Sequence, residues 1–346
     1  MNPLRLRKDQ ATMVRTDQYT LSCDEVNDLR ATLDELSEGG LSPTEADFYE
    51  KYRDCYELLP SGLRRFLTDF RDDVSSAVCL VNGFPVDDAA VGPTPRHWER
   101  PEGYDATIRP DIYLAMCAST LGAPFAWATL QYGRLVQDIF PIKGDERRES
   151  GHGSEAFLTF HTDDAFRPDS PDHLLLFGIR NPDAVPTFVA PLRHIRLRDT
   201  DWRVLSEKRF HILPDDEHIR QLELHAPDDP ALLRAIEMRD CPQPVSVLFG
   251  DPVNPRIRLD TPFMRCAGDD PEAQRALNTL LSELEGVRNP LVVHAGSLLI
   301  LDNRRAVHGR DSFTARHDGT DRWLRKVIVS RQSAAHGAEP IDRVRL

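Results

Sequence analysis

The chain has 346 residues, of which 40% are hydrophobic and 29% charged, a composition typical of a globular protein with a large core. Its 56 acidic residues outnumber its 43 basic residues and give a net charge of −13, which disfavours nucleic-acid binding because a phosphate backbone needs a basic surface. The N-terminus lacks the apolar run of a signal peptide, and no apolar stretch approaches the ~20 residues that span a bilayer, so a cytoplasmic protein without membrane contact is expected.

Residues 1–75 are predicted to form a helical N-terminal layer. Ser22 and Glu25 have capping-box spacing ahead of apolar residues at helical intervals. Ser42, followed by a proline and then a glutamate, predicts a second helix that runs to about Leu59. Residues 62–70 carry another apolar face and predict a third helix.

The pattern of apolar and turn residues changes after this layer. Residues 77–82 predict a buried strand, residues 87–109 a loop, and residues 110–121 a helix with proline at its first position. From about Ala123, short apolar runs broken by turn residues favour a sandwich, barrel or jelly roll. Residues 230–239 and 271–285 predict helical insertions. We therefore expect one catalytic domain over residues 76–335, with the N-terminal layer packed on it and a tail at 336–346.

His161 and Asp163 form a candidate metal-binding pair. Residues i and i+2 of a strand project from the same face, so both could contact one ion while Thr162 and Asp164 point away. Alone the pair is a weak signal, because such triplets arise by chance. With His308 it gives two imidazoles and one carboxylate, the set that binds non-haem Fe(II) and leaves other coordination positions open. The alternative for His308 is a strand-end histidine bonded to a carbonyl.

Arg322 lies fourteen residues after His308. This spacing suits two adjacent antiparallel strands, joined by a loop that contains Asp318 and Gly319 as turn residues. Both side chains would then face one cavity, where the planar guanidinium suits a carboxylate. The alternative for Arg322 is a surface salt bridge.

Several segments together resemble the clavaminate synthase-like Fe(II)/2-oxoglutarate oxygenases, which include arginine and asparagine β-hydroxylases of peptide-antibiotic biosynthesis. The matching segments follow the family's order across roughly residues 75–330: 131–141, 160–166, 176–182, 249–251, 255–260 and 301–326.

The resemblance implies a mainly β protein with helices, built on a double-stranded β-helix (jelly roll). It implies Fe(II) bound by His161, Asp163 and His308, with the distal carboxylate of 2-oxoglutarate on Arg322 and Thr187. O2 and 2-oxoglutarate would be the co-substrates, and an unactivated C–H bond of an L-amino acid would be hydroxylated.

The resemblance also implies a set of substrate contacts. Gln131 matches the position that contacts the α-amine, and Lys326 stands where the arginine hydroxylases tend to have an arginine for the substrate carboxylate. Asp215 falls in a mobile acidic lid and Asp260 near acids that pair with a guanidinium, which favours arginine, lysine or an analogue. Asp163 departs from the glutamate usual in the nearest relatives, so regiochemistry and stereochemistry transfer less well.

Other functions stay open at this point. The same cofactors could give desaturation or cyclisation, and the substrate could be neutral or bound to a carrier protein. A non-redox metal-binding jelly roll or a zinc hydrolase would not need Arg322, and the six cysteines have no metal-ligand or redox spacing. The oligomeric state could be a monomer or a dimer.

Overall fold

The structure, a computed structural model, describes residues 16–99, 105–251, 253–331 and 343–345. Its helices are α1 Cys23–Glu38, α2 Ala46–Lys51, α3 Ser61–Asp72, α4 Asp88–Val91, α5 Ile108–Leu121, α6 Asp199–Ser206, α7 Asp216–His225, α8 Pro230–Asp240 and α9 Pro271–Gly286. Its strands are β1 Asp17–Thr20, β2 Val78–Asn82, β3 Ala123–Trp127, β4 Gln137–Ile139, β5 Leu158–His161, β6 His173–Arg180, β7 Pro186–Pro191, β8 Phe210–Ile212, β9 Leu248–Asp251, β10 Asn254–Ile257, β11 Met264–Cys266, β12 Asn289–Val292, β13 Leu298–Asp302, β14 Ala306–Arg310, β15 Trp323–Ser330 and β16 Val344–Arg345. Among the described helices, none is long and apolar enough to cross a membrane.

Two sheets face each other at the centre of the protein. The larger sheet has the strand order β1-β2-β13-β6-β15-β3-β16, with β4 also paired to β15. The smaller sheet has the order β12-β7-β14-β5. Successive residues of a strand point to opposite faces, and β6 shows the result. Leu175 and Phe177 pack under the N-terminal helices and α5, whereas Leu174 and Leu176 pack between the sheets.

The second sheet is covered on its outer face by two of the insertions. Phe188 and Val307 from this sheet share an apolar cluster with residues of α6 and α9, such as Leu205 and Leu280. Each sheet is thus buried on both faces. The layers run from the N-terminal helices through the larger sheet and the smaller sheet to α6 and α9.

The N-terminal layer is helical only in part. α1 begins with the predicted capping box of Ser22 and Glu25, and α3 covers the predicted third helix. The helix predicted from Ser42 to Leu59 is wrong. The Ser42 side chain instead accepts a hydrogen bond from the Thr44 backbone N–H, a local turn that competes with a helix start, and α2 begins only at Ala46.

Strand β1 was not predicted, and it joins the larger sheet by pairing parallel with β2. The predicted loop over 87–109 contains α4. Helix α5 begins at Ile108, two residues before the proline that was expected to start it. Residues 100–104 of the predicted loop lie outside the described ranges. Helices α6 and α7 were also not predicted. In the predicted tail, β16 pairs with β3, and residues 336–342 and 346 lie outside the described ranges.

Candidate functional site

His161 and His308 meet across two neighbouring strands. His161 ends β5, and it pairs directly with His308 of β14 in the antiparallel register. Their ring centroids are 4.2 Å apart. Asp163 lies two residues beyond the end of β5, and one ligand atom from each of the three residues falls within 4.8 Å of the others. The three predicted ligands therefore lie close together, although Asp163 is in a turn and not on the strand.

The ring orientations suit metal binding. His161 Nδ1 donates to the Thr159 carbonyl at 2.9 Å, which leaves Nε2 unprotonated and 3.6 Å from Asp163 Oδ1. His308 Nε2 lies 3.3 Å from the same oxygen. Burial and the neighbouring His308 lower the pKa of His161 to about 4, so its imidazole is neutral at physiological pH. Neutral imidazole with its second nitrogen fixed by a carbonyl is the form that ligates metals.

Asp163 is held on both sides. Its backbone N–H donates to Asn303 Oδ1 at 2.8 Å, and Asn303 Nδ2 donates back to the Asp163 carbonyl at 3.0 Å. Lys326 Nζ donates to Oδ2 at 2.9 Å, which leaves Oδ1 toward the histidines. Burial alone would raise the pKa of Asp163, but Lys326 and the histidines lower it by more, and the net pKa is well below its ordinary value. The carboxylate is therefore ionised and oriented.

Arg322 forms a second, cationic pole of the cavity. It lies just before β15, is 5% exposed, and donates from Nη2 to Thr187 Oγ1 of β7 at 3.2 Å. Its buried Nε has no hydrogen-bond partner among the residues that the structure describes. Burial, with a contribution from Arg310, lowers its pKa to about 9. An anion at this position would satisfy a buried cation that has no carboxylate partner among the described residues.

The strand arrangement predicted around Arg322 is wrong. His308 lies on β14 of the smaller sheet, whereas Arg322 leads into β15 of the larger sheet, so the two strands are not neighbours. The loop with Asp318 and Gly319 crosses from one sheet to the other. Turn residues show where a chain reverses but not which sheet it enters. Both side chains still face one cavity, because the cavity lies between the sheets.

Two buried carboxyl groups form an acidic pole. Asp215 is the N-cap of α7 and accepts from the backbone N–H groups of Glu217 and His218. Asp260 forms an isolated antiparallel bridge with His161. Burial raises the pKa of both carboxyl groups, and nearby acids raise them further, Asp164 for Asp215 and Asp215 for Asp260. A cationic group between them would offset both effects.

Gln131 is buried, and its amide has one fixed orientation. Its Nε2 donates to the Asp138 carbonyl at 2.9 Å, and its Oε1 accepts from the Asp138 backbone N–H at 2.9 Å. His152 Nδ1 donates to the Phe140 carbonyl, so its Nε2 is an acceptor and lies 3.5 Å from Gln131 Nε2. The amide oxygen keeps one lone pair for a donor in the cavity.

All of the predicted site residues line the same cavity. These are Gln131, His161, Asp163, Thr187, Asp215, Asp260, His308, Arg322 and Lys326.

Proteins of similar sequence include two hydroxylases and a synthase. The chain is 38% identical over 321 residues to enduracididine beta-hydroxylase of Streptomyces hygroscopicus, covering 90% of this chain and 93% of that protein. It is 36% identical to L-ornithine/L-arginine 3-hydroxylase of Catenulispora acidiphila over 83% of this chain and 87% of that protein. It is 26% identical to clavaminate synthase 2 of Streptomyces clavuligerus, with 82% and 83% covered. No family model matches the chain.

The chain belongs to the clavaminate synthase-like oxygenases. A solved structure supports the same assignment. The non-haem iron oxygenase OrfP, in complex with Fe, succinate and (3S)-hydroxy-L-Arg, superposes with a TM-score of 0.88 at 34% identity, covering 96% of this chain and 99% of that one. The fold of this oxygenase is therefore that of OrfP, with mixed sheets and helices.

Two residues of the oxygenase site were missed from the sequence, and the role of a third was predicted only in part. Asn303 and Arg310 lie in the segment that resembles the family, but neither was singled out. Arg310 is buried and donates to backbone carbonyls of the loop that precedes β5, including Gly153 at 3.0 Å. Asp164 was predicted to take a supporting or surface position, and its side chain, which is 5% exposed and bonded to His218, takes the supporting one. No local pattern marks these roles, because their partners are distant in sequence.

Proposed function

We propose that this oxygenase hydroxylates an unactivated C–H bond of an L-amino acid with a cationic side chain, arginine or a close analogue, in specialised-metabolite biosynthesis. The observation that carries the proposal is one cavity with a cationic pole at Arg322, an acidic pole at Asp215 and Asp260, and a His-Asp-His cluster. The names of the relatives that act on arginine, ornithine and enduracididine support the same substrate class.

The donor set fits Fe(II). His161 Nε2, His308 and Asp163 Oδ1 would supply two imidazoles and one carboxylate on one face of the ion. Lys326 holds the other carboxylate oxygen, so Asp163 would bind through a single oxygen. His308 Nδ1 is buried without a partner among the described residues. A ligand set that is already ordered lowers the cost of binding the ion.

The cationic pole fits the distal carboxylate of 2-oxoglutarate. Arg322 offers a buried guanidinium with an unpaired Nε, and the Thr187 hydroxyl lies beside it as a second donor. A charge-assisted, two-point contact to a carboxylate is the interaction that an arginine makes best. When bound, iron and 2-oxoglutarate supply the oxidation: O2 is consumed, succinate and CO2 form, and one oxygen atom enters the substrate C–H bond.

The remaining residues would bind and aim the amino acid. The free lone pair of Gln131 Oε1 would accept from the α-ammonium group. Asp215 and Asp260 would receive the cationic side chain, and Lys326 would attract the α-carboxylate while bonded to Asp163. These contacts fix both ends of the substrate, so one C–H bond faces the metal and water is displaced.

We also propose a double-stranded β-helix core formed by the two facing sheets, and one catalytic domain over residues 76–335. Pairing of β1 with β2 and of β16 with β3 supports a single unit that includes the N-terminal layer and part of the tail. The free cysteines support the reducing environment of the cytoplasm.

Product mass spectrometry tests the function. The protein is incubated with Fe(II), 2-oxoglutarate and O2 and a panel of free amino acids. A gain of one oxygen on arginine or a close analogue is expected, with stoichiometric succinate. A loss of two hydrogens would instead mean desaturation. If every basic amino acid fails while a neutral or carrier-bound one reacts, the acidic pole does not select the substrate and the proposal is wrong.

A further inference from the structure

Helices α7 and α8 form a hairpin with its own small apolar cluster. The cluster contains Ile219, Leu222 and Leu232, and it is separate from the clusters that hold the two sheets together. Asp215, Glu217 and Gln221, at the start and on the inner face of α7, line the cavity. The hairpin therefore covers the site without sharing the main core, and polar contacts from the inner face of α7 contribute to its attachment.

Three neighbouring polar residues on the inner face of α7 make these contacts. Glu217, His218 and Gln221 are 6%, 1% and 5% exposed. Gln221 Oε1 accepts from the Gln131 backbone N–H at 2.7 Å, which ties α7 to the proposed amine-binding residue. Glu217 bonds to Gln221 and to Arg220 on its own helix. Buried polar groups of this kind are costly unless they are satisfied, so they favour one seating of the helix.

His218 makes the contact that reaches the metal-binding turn. Its Nε2 lies 2.9 Å from Asp164 Oδ1, and its Nδ1 lies 2.6 Å from Thr129 Oγ1. The carboxylate can only accept, so Nε2 carries a proton. Burial would lower the pKa of His218, but Asp215 and Asp164 raise it by more. Both ring nitrogens are thus satisfied inside the protein.

Asp164 directly follows the metal-ligand candidate Asp163, and its backbone is strained. Its φ of 55° lies in the left-handed region that a non-glycine side chain rarely adopts. The turn is closed by the Arg167 backbone N–H, which donates to the Asp164 carbonyl at 3.0 Å. The bond from His218 holds the Asp164 side chain toward α7 and so stabilises the conformation that places Asp163.

We propose that His218 is a positioning residue that couples the seating of α7 over the substrate to the geometry of the metal-binding turn. The proposal rests on the proposed function. Because the helix that covers the amino acid also holds Asp164, displacement of α7 loosens the residue next to a metal ligand. The consequence is that 2-oxoglutarate is consumed productively only when α7 is in place.

The first test needs no turnover. Hydrogen–deuterium exchange is measured on Mn(II)-loaded protein without amino acid, for wild type, His218→Ala and Thr129→Val. Loss of His218 is expected to speed exchange by about tenfold in both α7 and the turn at residues 162–167. Thr129→Val removes the other bond of the same ring and should leave the turn near its wild-type rate. Faster exchange in α7 alone would overturn the proposal.

The second test measures the ratio of hydroxylated product to succinate at saturating arginine, with ascorbate present as reductant. His218→Ala is expected to lower this ratio by about fivefold, whereas Gln221→Ala keeps the bond to Asp164 and should raise KM with a smaller loss in the ratio. If His218→Ala raises only KM, the residue merely seats the substrate and the proposal is wrong.

Asp164→Asn tests the same contact from its other end and serves if His218→Ala does not fold. The amide oxygen of Asn can still accept from Nε2 but carries no charge, so exchange in the turn should speed up by less than in His218→Ala, and the double variant should be no worse than His218→Ala alone. If the increases in exchange rate of the two single variants add up in the double variant, His218 and Asp164 do not act through the same contact. If wild type does not hydroxylate arginine, the proposed substrate fails, but the exchange experiment still decides the role of His218.

Discussion

Replacing Arg322 with methionine should stabilise the protein while abolishing co-substrate binding. The guanidinium is buried, its Nε has no partner among the described residues, and its pKa falls to about 9. A fall of roughly 3 to 4 pH units from the ordinary value corresponds to roughly 5 kcal/mol. Because the folded-state pKa is lowered, this cost is fully present below pH 9, including pH 7, and it disappears only as the pH rises above that value.

Two effects offset part of the gain. Arg322→Met loses the hydrogen bond to Thr187, which is worth about 1 kcal/mol, and the new side chain packs imperfectly at a similar cost. The net increase in the free energy of unfolding should therefore be about 2 to 3 kcal/mol at pH 7. For wild type, 2-oxoglutarate at about 100 times its Kd should restore about 2.7 kcal/mol, and for the variant it should restore nothing.

Urea unfolding at pH 7 measures both quantities, first on metal-free protein and then with Mn(II) and 2-oxoglutarate. Arg310→Met is the matched control. That arginine is also buried, and burial lowers its pKa to about 10, but its hydrogen bonds to backbone carbonyls offset this cost, so Arg310→Met should gain no stability. The reasoning fails if Arg322→Met is less stable than wild type without ligand, or if the co-substrate stabilises both proteins equally.

Three further changes test other parts of the site. His308→Ala should weaken Mn(II) binding by at least about 100-fold in a metal titration and stop succinate formation; normal turnover would remove it from the ligand set. Asp215→Asn keeps the α7 cap but removes the charge, so KM for arginine should rise about tenfold in steady-state assays, while Asp215→Ala should also cost about 1 kcal/mol in urea unfolding. Burial raises the pKa of Asp215, so on acidification the wild-type KM should begin to rise at a higher pH than it would for an ordinary aspartate. If Asp215→Asn shows the same pH profile as wild type, Asp215 is not the group that causes this rise. Arg325→Met removes the buried cation that bonds to the carboxylates of both Asp111 and Asp138 and should cost about 3 to 5 kcal/mol; an unchanged urea midpoint would contradict this.

The metal cluster was accessible from sequence because its ligands are few and chemically distinctive. His161 and Asp163 sit at a strand end, and only His308 had to be found elsewhere. Strand alternation accounts for Arg325, which is buried away from the cavity that the neighbouring Lys326 lines. The apolar run of residues 77–82 located β2 of the larger sheet, because its buried residues are contiguous.

The features that the sequence did not predict depend on contacts between residues far apart in the chain, which no local pattern reveals. The spacing of His308 and Arg322 did not show that their strands belong to opposite sheets. Helix α7 has mixed polar residues on its buried face, so its inward side does not look apolar in sequence. The β1 strand alternates between half-buried and exposed positions over only four residues, too short a signal to separate from a coil.

The fixed amide of Gln131 has a consequence for how such enzymes diversify. Its polarity is set by the main chain of Asp138, which presents the same N–H and C=O whatever side chain stands there. In the proposed function, the main chain of Asp138 would orient the amide that accepts the α-ammonium group, so substitution of the Asp138 side chain would leave this contact in place. Recognition of the cationic side chain would depend on the replaceable carboxylates of Asp215 and Asp260. Substitutions at Asp215 and Asp260 should therefore change which substrate side chain is accepted before selectivity for the α-amino group changes. Laboratory evolution should find new side-chain preferences at these two positions.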